Sequence, residues 1–518
     1  MPQRGVHHSR LIAALVALAL VAACGRAGGE SIPADTTTPL VTTATVPATA
    51  TAPSSSAPAA TATVTVPSPS TPAPTAILTP TPVPSPSLTR PPDQQVELPD
   101  VDAHYDLEVT AFDPGTGHLE VVERVTLRSR SGPLPELHFT VTPAEAGYFQ
   151  LDGATLDNQP VTPDVRNDGF TLTIPAPPGE TAIVGFRFTL NLRQVPEDWY
   201  GTGLDGDIVR LGYWFPILSD DHPYPSTADP AYTRTATFDV RIPIPPGYVL
   251  AHTGEEVTRE PLPDGAVRYH LRAENVRDFA MITAPNLQID TATTAGGVRV
   301  ELYSLPGTPE QARQTALSAA VLALDRLSEL IGPYPYPVFR MAEAGPSLHG
   351  GIEFPMLVYL NLSVNWLDRL TYHETAHQWL YGIIGTRPQQ DPWIDEGGAQ
   401  FLEAGLASDF QEKPSPPPGG YLHPLDSTDA ELPSGPGIPG YESIYRQGHA
   451  FYQTVYEEMG PDAFWAAMRE LYERFRFDIV TPWDVLLTWQ LHSPVDLRPL
   501  FRDTFSYPWL DQLPPPGG

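Results

Sequence analysis

Cysteine and lysine are almost absent from this chain: 518 residues contain one of each. With Cys24 alone no internal disulfide can form, so the folded part must be held by core burial. Lys413 is the only lysine and nearly all cationic groups are arginine, a base-composition effect rather than a chemical signal. Positive charge is scarce altogether, since 30 Lys and Arg stand against 61 Asp and Glu for a net charge of −31. Nucleic acid is thereby excluded as a partner, because binding it needs a basic surface that displaces counterions; the acidity reads as solubility. Long apolar runs are missing too. The stretch from Leu11 to Ala23 falls far short of the roughly 20 residues a membrane-spanning helix needs.

That short run follows Arg4 and Arg10 and leads through small residues to Cys24, the pattern of a signal peptide over residues 1–23. Val21-Ala22-Ala23-Cys24 resembles the lipobox of bacterial lipoproteins. The resemblance implies cleavage before Cys24, lipid on its sulfur, and an extracytoplasmic protein anchored to a bacterial membrane, at the cell surface or in the periplasm. The alternative is a plain secretory signal with an incidental cysteine. Residues 24–97 are mostly Thr, Pro, Ser and Ala with few large apolar side chains, so they cannot bury enough surface to fold. A disordered spacer of this kind reaches roughly 50 Å as a coil and up to about 200 Å when extended; a glycosylated stalk has the same composition.

Residues 98–290 read as strands. Tyr105 to Val109, Leu119 to Glu123, Ala182 to Phe186 and Thr237 to Ile242 are short, often alternate in polarity, and are punctuated by Pro and Gly. From 291 to 518 the pattern is largely helical, beginning with Gln311 to Leu330 between Pro309 and Gly332-Pro333. The expected architecture is multidomain α+β, with an N-terminal β-sandwich-like domain followed by a helical one.

The second domain carries His373-Glu374-Thr375-Ala376-His377, and nineteen positions later Glu396. Trp366, Leu370, His373, His377, Leu380 and Ile384 recur at threes and fours, with Gly385 and Pro388 as a stop signal, so the motif is expected inside one amphipathic helix. On a helix, residues four apart share a face, and His373 and His377 can offer nitrogens to one ion at roughly 2.0–2.1 Å. With Glu396 they make three protein ligands for a single Zn²⁺, leaving a fourth position for water, which marks a catalytic rather than a closed site. Glu374, beside them and free of the metal, is placed to act as general base.

Gly350-Gly351-Ile352-Glu353-Phe354-Pro355, His373-Glu374-Thr375-Ala376-His377-Gln378-Trp379, Trp393-Ile394-Asp395-Glu396-Gly397 and Tyr445-Arg446-Gln447-Gly448, in that order, resemble the aminopeptidase N family, peptidase family M1 of the gluzincins. The resemblance implies a thermolysin-like zinc catalytic domain that hydrolyses N-terminal residues from extracytoplasmic peptides. In it Tyr445 would donate its phenol to the oxyanion and Glu353 would grip the free amino terminus. Ile352 to Tyr359 reads as a strand whose edge takes up substrate, with Gly350 and Gly351 permitting close approach. Glu403, two turns after Glu396, could hold a ligand histidine, or be solvated charge. His349 and His449 have no ligand spacing. This chain has Phe354 where the family often has Asn and Gln447 where it often has Lys, which bears on substrate preference. The sequence stops at Gly518, about 70 residues after Tyr445 by the numbering, so a more open cleft and looser limits on peptide length are expected. A zinc endopeptidase on the same scaffold and a non-catalytic surface-binding lipoprotein are the other readings.

Overall fold

In His118–Ser129 the side chains of Leu119, Val121, Glu123, Val125 and Leu127 are buried while those between them are exposed, the period-two pattern of a strand with one covered face. The computed structural model describes residues 89–165, 171–195, 201–220, 232–414, 424–427 and 440–517, with the backbone alone for 440–443. The signal peptide, Cys24 and the spacer up to residue 88 lie outside the described residues. From Arg90 onward the chain packs as one unit.

Its strand-rich part is built on an eight-stranded sheet. The spatial order is Glu255–Pro261, Val267–Val276, Ala236–Ile244, Val101–Asp113, His118–Ser129, Thr181–Asn191, Phe149–Leu156 and Gln159–Val161. Each stretch read from sequence as a strand falls inside one of these, but the strands run longer, 13 residues in Val101–Asp113, because a bulge between Val109 and Ala111 lets pairing continue. Two four-stranded sheets complete this part. An aromatic core fills it: Tyr105 stacks on Phe238 with ring centroids 4.6 Å apart, and Phe139 meets Phe186 edge-on at 5.0 Å.

The second part opens with a five-stranded sheet, in the order Gln288–Thr293, Arg299–Ser304, Val338–Glu343, Leu357–Leu360 and Gly351–Ile352. Helix α1 (Glu310–Leu330) packs on it through Ala316, Ala320, Leu324 and Leu327. Then come α2 (Leu367–Ala376), α3 (Glu396–Ser408) and α4 (Gly440–Met459), followed by helices Pro461–Phe475, Pro482–His492 and Arg498–Thr504. Among the described residues no helix is long and apolar enough to cross a membrane.

Two local expectations need correction. The expected strand from Ile352 to Tyr359 is two strands, Gly351–Ile352 and Leu357–Leu360, joined by a turn in which Met356 has a φ of 64°. The turn is held from outside by a side chain of the motif region, which strand propensity cannot register. The expected helix through Ile384 ends as α2 at Ala376. Beyond it the amides of Gly382, Ile383 and Ile384 donate to carbonyls five residues back, at 2.9, 3.0 and 2.9 Å, a wider turn than the α-helical one. Leu380 and Ile384 are buried all the same, which is why the periodicity read straight through.

Candidate active site

Helix α2 carries His373 and Glu374 in its last turn, and His377 caps it. Its covered face is lined by Leu367, Leu370 and Thr371, so the motif lies inward. Nineteen residues on, α3 begins at Glu396, where the Asp395 carboxylate caps the helix by accepting from the Glu396 amide at 2.9 Å. Asp395 also accepts from the Thr386 hydroxyl, tying the helix start to the loop that follows the motif.

The three ligand candidates meet. His373 Nε2 lies 3.1 Å from His377 Nε2, and Glu396 Oε2 lies 3.3 and 3.4 Å from these two nitrogens. A triangle with such edges has its corners roughly 1.9 Å from its centre, so a cation slightly off the plane reaches all three at about 2.0–2.1 Å, the range of zinc bonds to nitrogen and oxygen. Two facing imidazole nitrogens and a carboxylate oxygen form the donor set of a hydrolytic zinc site, and the residues fit that ion. All three are buried. Burial alone would draw the His373 imidazole down, but the Glu396 and Glu403 carboxylates beside it hold it well above the ordinary histidine value. Burial would raise Glu396, yet the same two histidines hold its carboxyl below the usual range.

Glu374 is 4% exposed, and its Oε2 has no hydrogen-bond partner among the described residues. Burial pushes its carboxyl up to about 8, with His373 opposing and Glu353 adding to the rise. Gly351 lies against it: a Cβ there would stand 2.5 Å from Glu374 Cγ and Cδ. Gly350 is open, with the nearest atom of Leu370 at 4.0 Å. Of the two glycines read as leaving room for substrate, Gly351 leaves room for Glu374.

Glu353 is buried in the turn between the two short strands, near enough to Glu374 and His377 to raise both. Gln378 holds that turn. Its Oε1 accepts from the Met356 amide at 2.9 Å, and its Nε2 donates to the carbonyls of Phe354 and Glu353 at 3.1 and 3.4 Å. Phe354 points away into an aromatic nest with Tyr213 and Tyr359, each 4.9 Å off, under Gly212. The departure at that position is therefore absorbed as packing.

The Tyr445 phenol donates to Glu396 Oε1 at 2.7 Å, and its ring centroid is 5.7 Å from that of His373. A close helix crossing brings it there, because Gly397 of α3 and Gly448 of α4 touch: a Cβ on Gly448 would be 2.5 Å from Gly397 Cα. Neighbouring tyrosines are core residues. Tyr452 donates to the Ile394 carbonyl at 2.9 Å and Tyr456 packs among Phe401, Phe410 and Phe464; the Tyr441 side chain lies outside the described set. Glu403 Oε2 sits 3.5 Å from His373 Nδ1 while Arg369 and Gln400 hold its carboxylate at 3.3 and 2.7 Å. His349 is exposed, and His449 is buried against Phe401.

Sequence reasoning missed Gln378 as the holder of the Glu353 turn, although its place directly after the motif was a signal. It also missed that Arg277, about a hundred residues upstream, reaches the loop after the motif, where its Nε donates to the Tyr381 carbonyl at 2.6 Å.

No family model matches the chain. The puromycin-sensitive aminopeptidase of Caenorhabditis elegans is 23% identical over 197 residues, which is 35% of this chain and 20% of that protein, so only a fifth of that curated relative's length is matched. Among solved structures, an M1 zinc metallopeptidase from Deinococcus radiodurans superposes with a TM-score of 0.59 at 20% identity, covering 81% of this chain and 97% of that one. A mutant of that metallopeptidase bound to Tyr-Ser-Ala substrate gives 0.58 at 20%, covering 77% and 92%. The fold is shared along nearly the whole length of those proteins.

Proposed function

We propose that this chain, which belongs with the aminopeptidase N-like M1 zinc metallopeptidases, removes residues from the free amino end of extracytoplasmic peptides. The single observation that carries the reading is the triangle of His373, His377 and Glu396 donors with edges of 3.1–3.4 Å, beside a buried Glu374. When bound there, zinc supplies a Lewis acid for the scissile carbonyl and acidifies water towards neutrality. Glu374 takes the proton from the attacking water and returns it to the departing amine. Tyr445, already donating a hydrogen bond at the site's edge, turns its phenol to the carbonyl oxygen as that atom gains negative charge. Glu353 pairs with the substrate ammonium, and the Gln378 clamp on its turn fixes how far from the scissile bond that ammonium sits. A free amino terminus is thus selected by charge, within a catalytic domain of thermolysin-like kind preceded by a β-sandwich-like one.

The targeting part of the reading rests on sequence. Arg4, Arg10, the apolar run and Val21-Ala22-Ala23-Cys24 support export, lipid attachment at Cys24 and a spacer that holds the enzyme away from a bacterial membrane.

The test is to measure bound zinc, then compare cleavage of aminoacyl chromogenic substrates with N-acetylated peptides in the unaltered protein, Glu374→Gln and Glu353→Ala. The reading expects one zinc, a collapse of turnover in Glu374→Gln with metal retained, and loss of the free-amine preference in Glu353→Ala. Equal cleavage of blocked and free peptides by the unaltered protein would instead indicate an endopeptidase.

A further inference from the structure

Arg277 and Asp278, at the end of the long strand Val267–Val276, are each 1% exposed, and both grip one residue of the loop after the zinc motif. Arg277 Nε donates to the Tyr381 carbonyl at 2.6 Å, while the Tyr381 phenol donates to Asp278 Oδ2. Tyr381 is thus held at its backbone and at its side-chain tip by consecutive residues of the strand-rich part. Its φ is 110°, a conformation that a residue with a Cβ keeps only when its surroundings enforce it. The remaining Arg277 donors fix the flanks: Nη1 to the Thr233 carbonyl at 2.9 Å, Nη2 to the Asp478 carbonyl at 2.6 Å and to that of Ile383 at 3.4 Å. The guanidinium enters because Gly385 has no side chain, since a Cβ there would stand 2.1 Å from its central carbon.

Immediately before Tyr381 is Leu380, and its carbonyl lies 3.2 Å from His377 Nδ1. An imidazole that donates Nδ1–H to a carbonyl presents the Nε2 lone pair on its other side, and that is the atom His377 turns to the triangle with His373 and Glu396. Where the Leu380 carbonyl points is set by the peptide that Tyr381 closes. We infer that Arg277 and Asp278 are positioning residues for His377: by clamping Tyr381 they aim the Leu380 carbonyl that orients and fixes the tautomer of this ligand, so metal affinity depends on the strand-rich part of the chain. The inference rests on the proposed zinc site.

The test uses the full chain and zinc alone, with affinity measured by competition against a chelating dye. Melting temperature is recorded for each protein, and Leu107→Ala in the strand-rich core serves as a destabilised control remote from the clamp. Arg277→Met should bind zinc about 10–100-fold more weakly than the unaltered protein, the usual effect of losing an outer partner of a metal ligand. Tyr381→Phe, which removes one hydroxyl and nothing else, should weaken binding several-fold, and Leu107→Ala should leave affinity unchanged despite its lower melting temperature. Zinc affinity within twofold of the unaltered protein in Tyr381→Phe and in Arg277→Met, or in Tyr381→Phe alone if Arg277→Met does not fold, overturns the inference while leaving the zinc site standing. An equal loss in Leu107→Ala overturns it as well, since affinity would then follow stability. An unaltered protein that binds no zinc overturns the site itself, and the clamp's role with it.

Discussion

Gly351→Ala separates the placement of Glu374, the proposed general base, from everything else at the site. The new Cβ would stand 2.5 Å from Glu374 Cγ and Cδ and 2.6 Å from Oε1, whereas ordinary contacts begin near 3.4 Å, so the carboxylate must retreat by about 1 Å. Gly351 has no positive φ, so alanine adds no backbone strain and the effect is one of space alone. A misplacement of about 1 Å in a reacting group costs on the order of 10²-fold, or about 2.7 kcal/mol of transition-state stabilisation. Gly350→Ala is the matched control, because its Cβ would find its nearest neighbour 4.0 Å away. Steady-state kcat/KM on an aminoacyl chromogenic substrate, with zinc content by stoichiometric titration, should show about a hundredfold loss in Gly351→Ala with metal retained, and near-normal values in Gly350→Ala. If Gly351→Ala stays within threefold of the unaltered protein, or if it fails by shedding zinc, the assignment of this glycine to Glu374 is wrong.

Other expectations follow from contacts elsewhere. Gly448→Ala forces α3 and α4 apart at a 2.5 Å contact, so it should lower stability by about 1–3 kcal/mol and reduce kcat by moving Tyr445, both visible by thermal denaturation and kinetics. Glu123 faces the core of the eight-stranded sheet with neither carboxylate oxygen hydrogen-bonded among the described residues, and burial raises its pKa well above 4.5. The folded chain therefore binds this proton more tightly than the unfolded one, so stability should fall as pH rises above about 4.5; Glu123→Gln should flatten melting temperature against pH between 5 and 8, and an unchanged slope would refute it. Cys24→Ser should move the protein from the membrane fraction to the soluble one without changing turnover, as read by fractionation and assay.

The convergence of the three candidate ligands was legible in the chain because each depends on a short-range rule. Four-residue spacing puts His373 and His377 on one side of a helix, and Asp395-Glu396-Gly397 combines a cap, a candidate ligand and the glycine that lets α4 approach. Tyr445 was distinguishable from Tyr452 and Tyr456 by its Tyr-Arg-Gln-Gly setting, and the fold explains why: Gly448 three residues later makes the crossing that brings it to Glu396. The end of α2 at Ala376 was not legible. Leu380 and Ile384 keep helical spacing because both remain buried, while the backbone is diverted by a guanidinium arriving from residue 277. The break between Ile352 and Leu357 was hidden for a similar reason, since Gln378 supplies the hydrogen bonds that a continuous strand would have given Glu353, Phe354 and Met356. Periodicity reports which side chains are covered; it does not report what comes from a hundred residues away to cover them.

Zinc K-edge X-ray absorption on the metal-loaded full chain reads the proposed ligand set itself. One zinc per chain is expected, with two imidazole nitrogens and a carboxylate oxygen at about 2.0–2.1 Å plus one light-atom ligand, and loss of that signature in His377→Ala. An all-oxygen shell, or a spectrum that His377→Ala leaves unchanged, would contradict it.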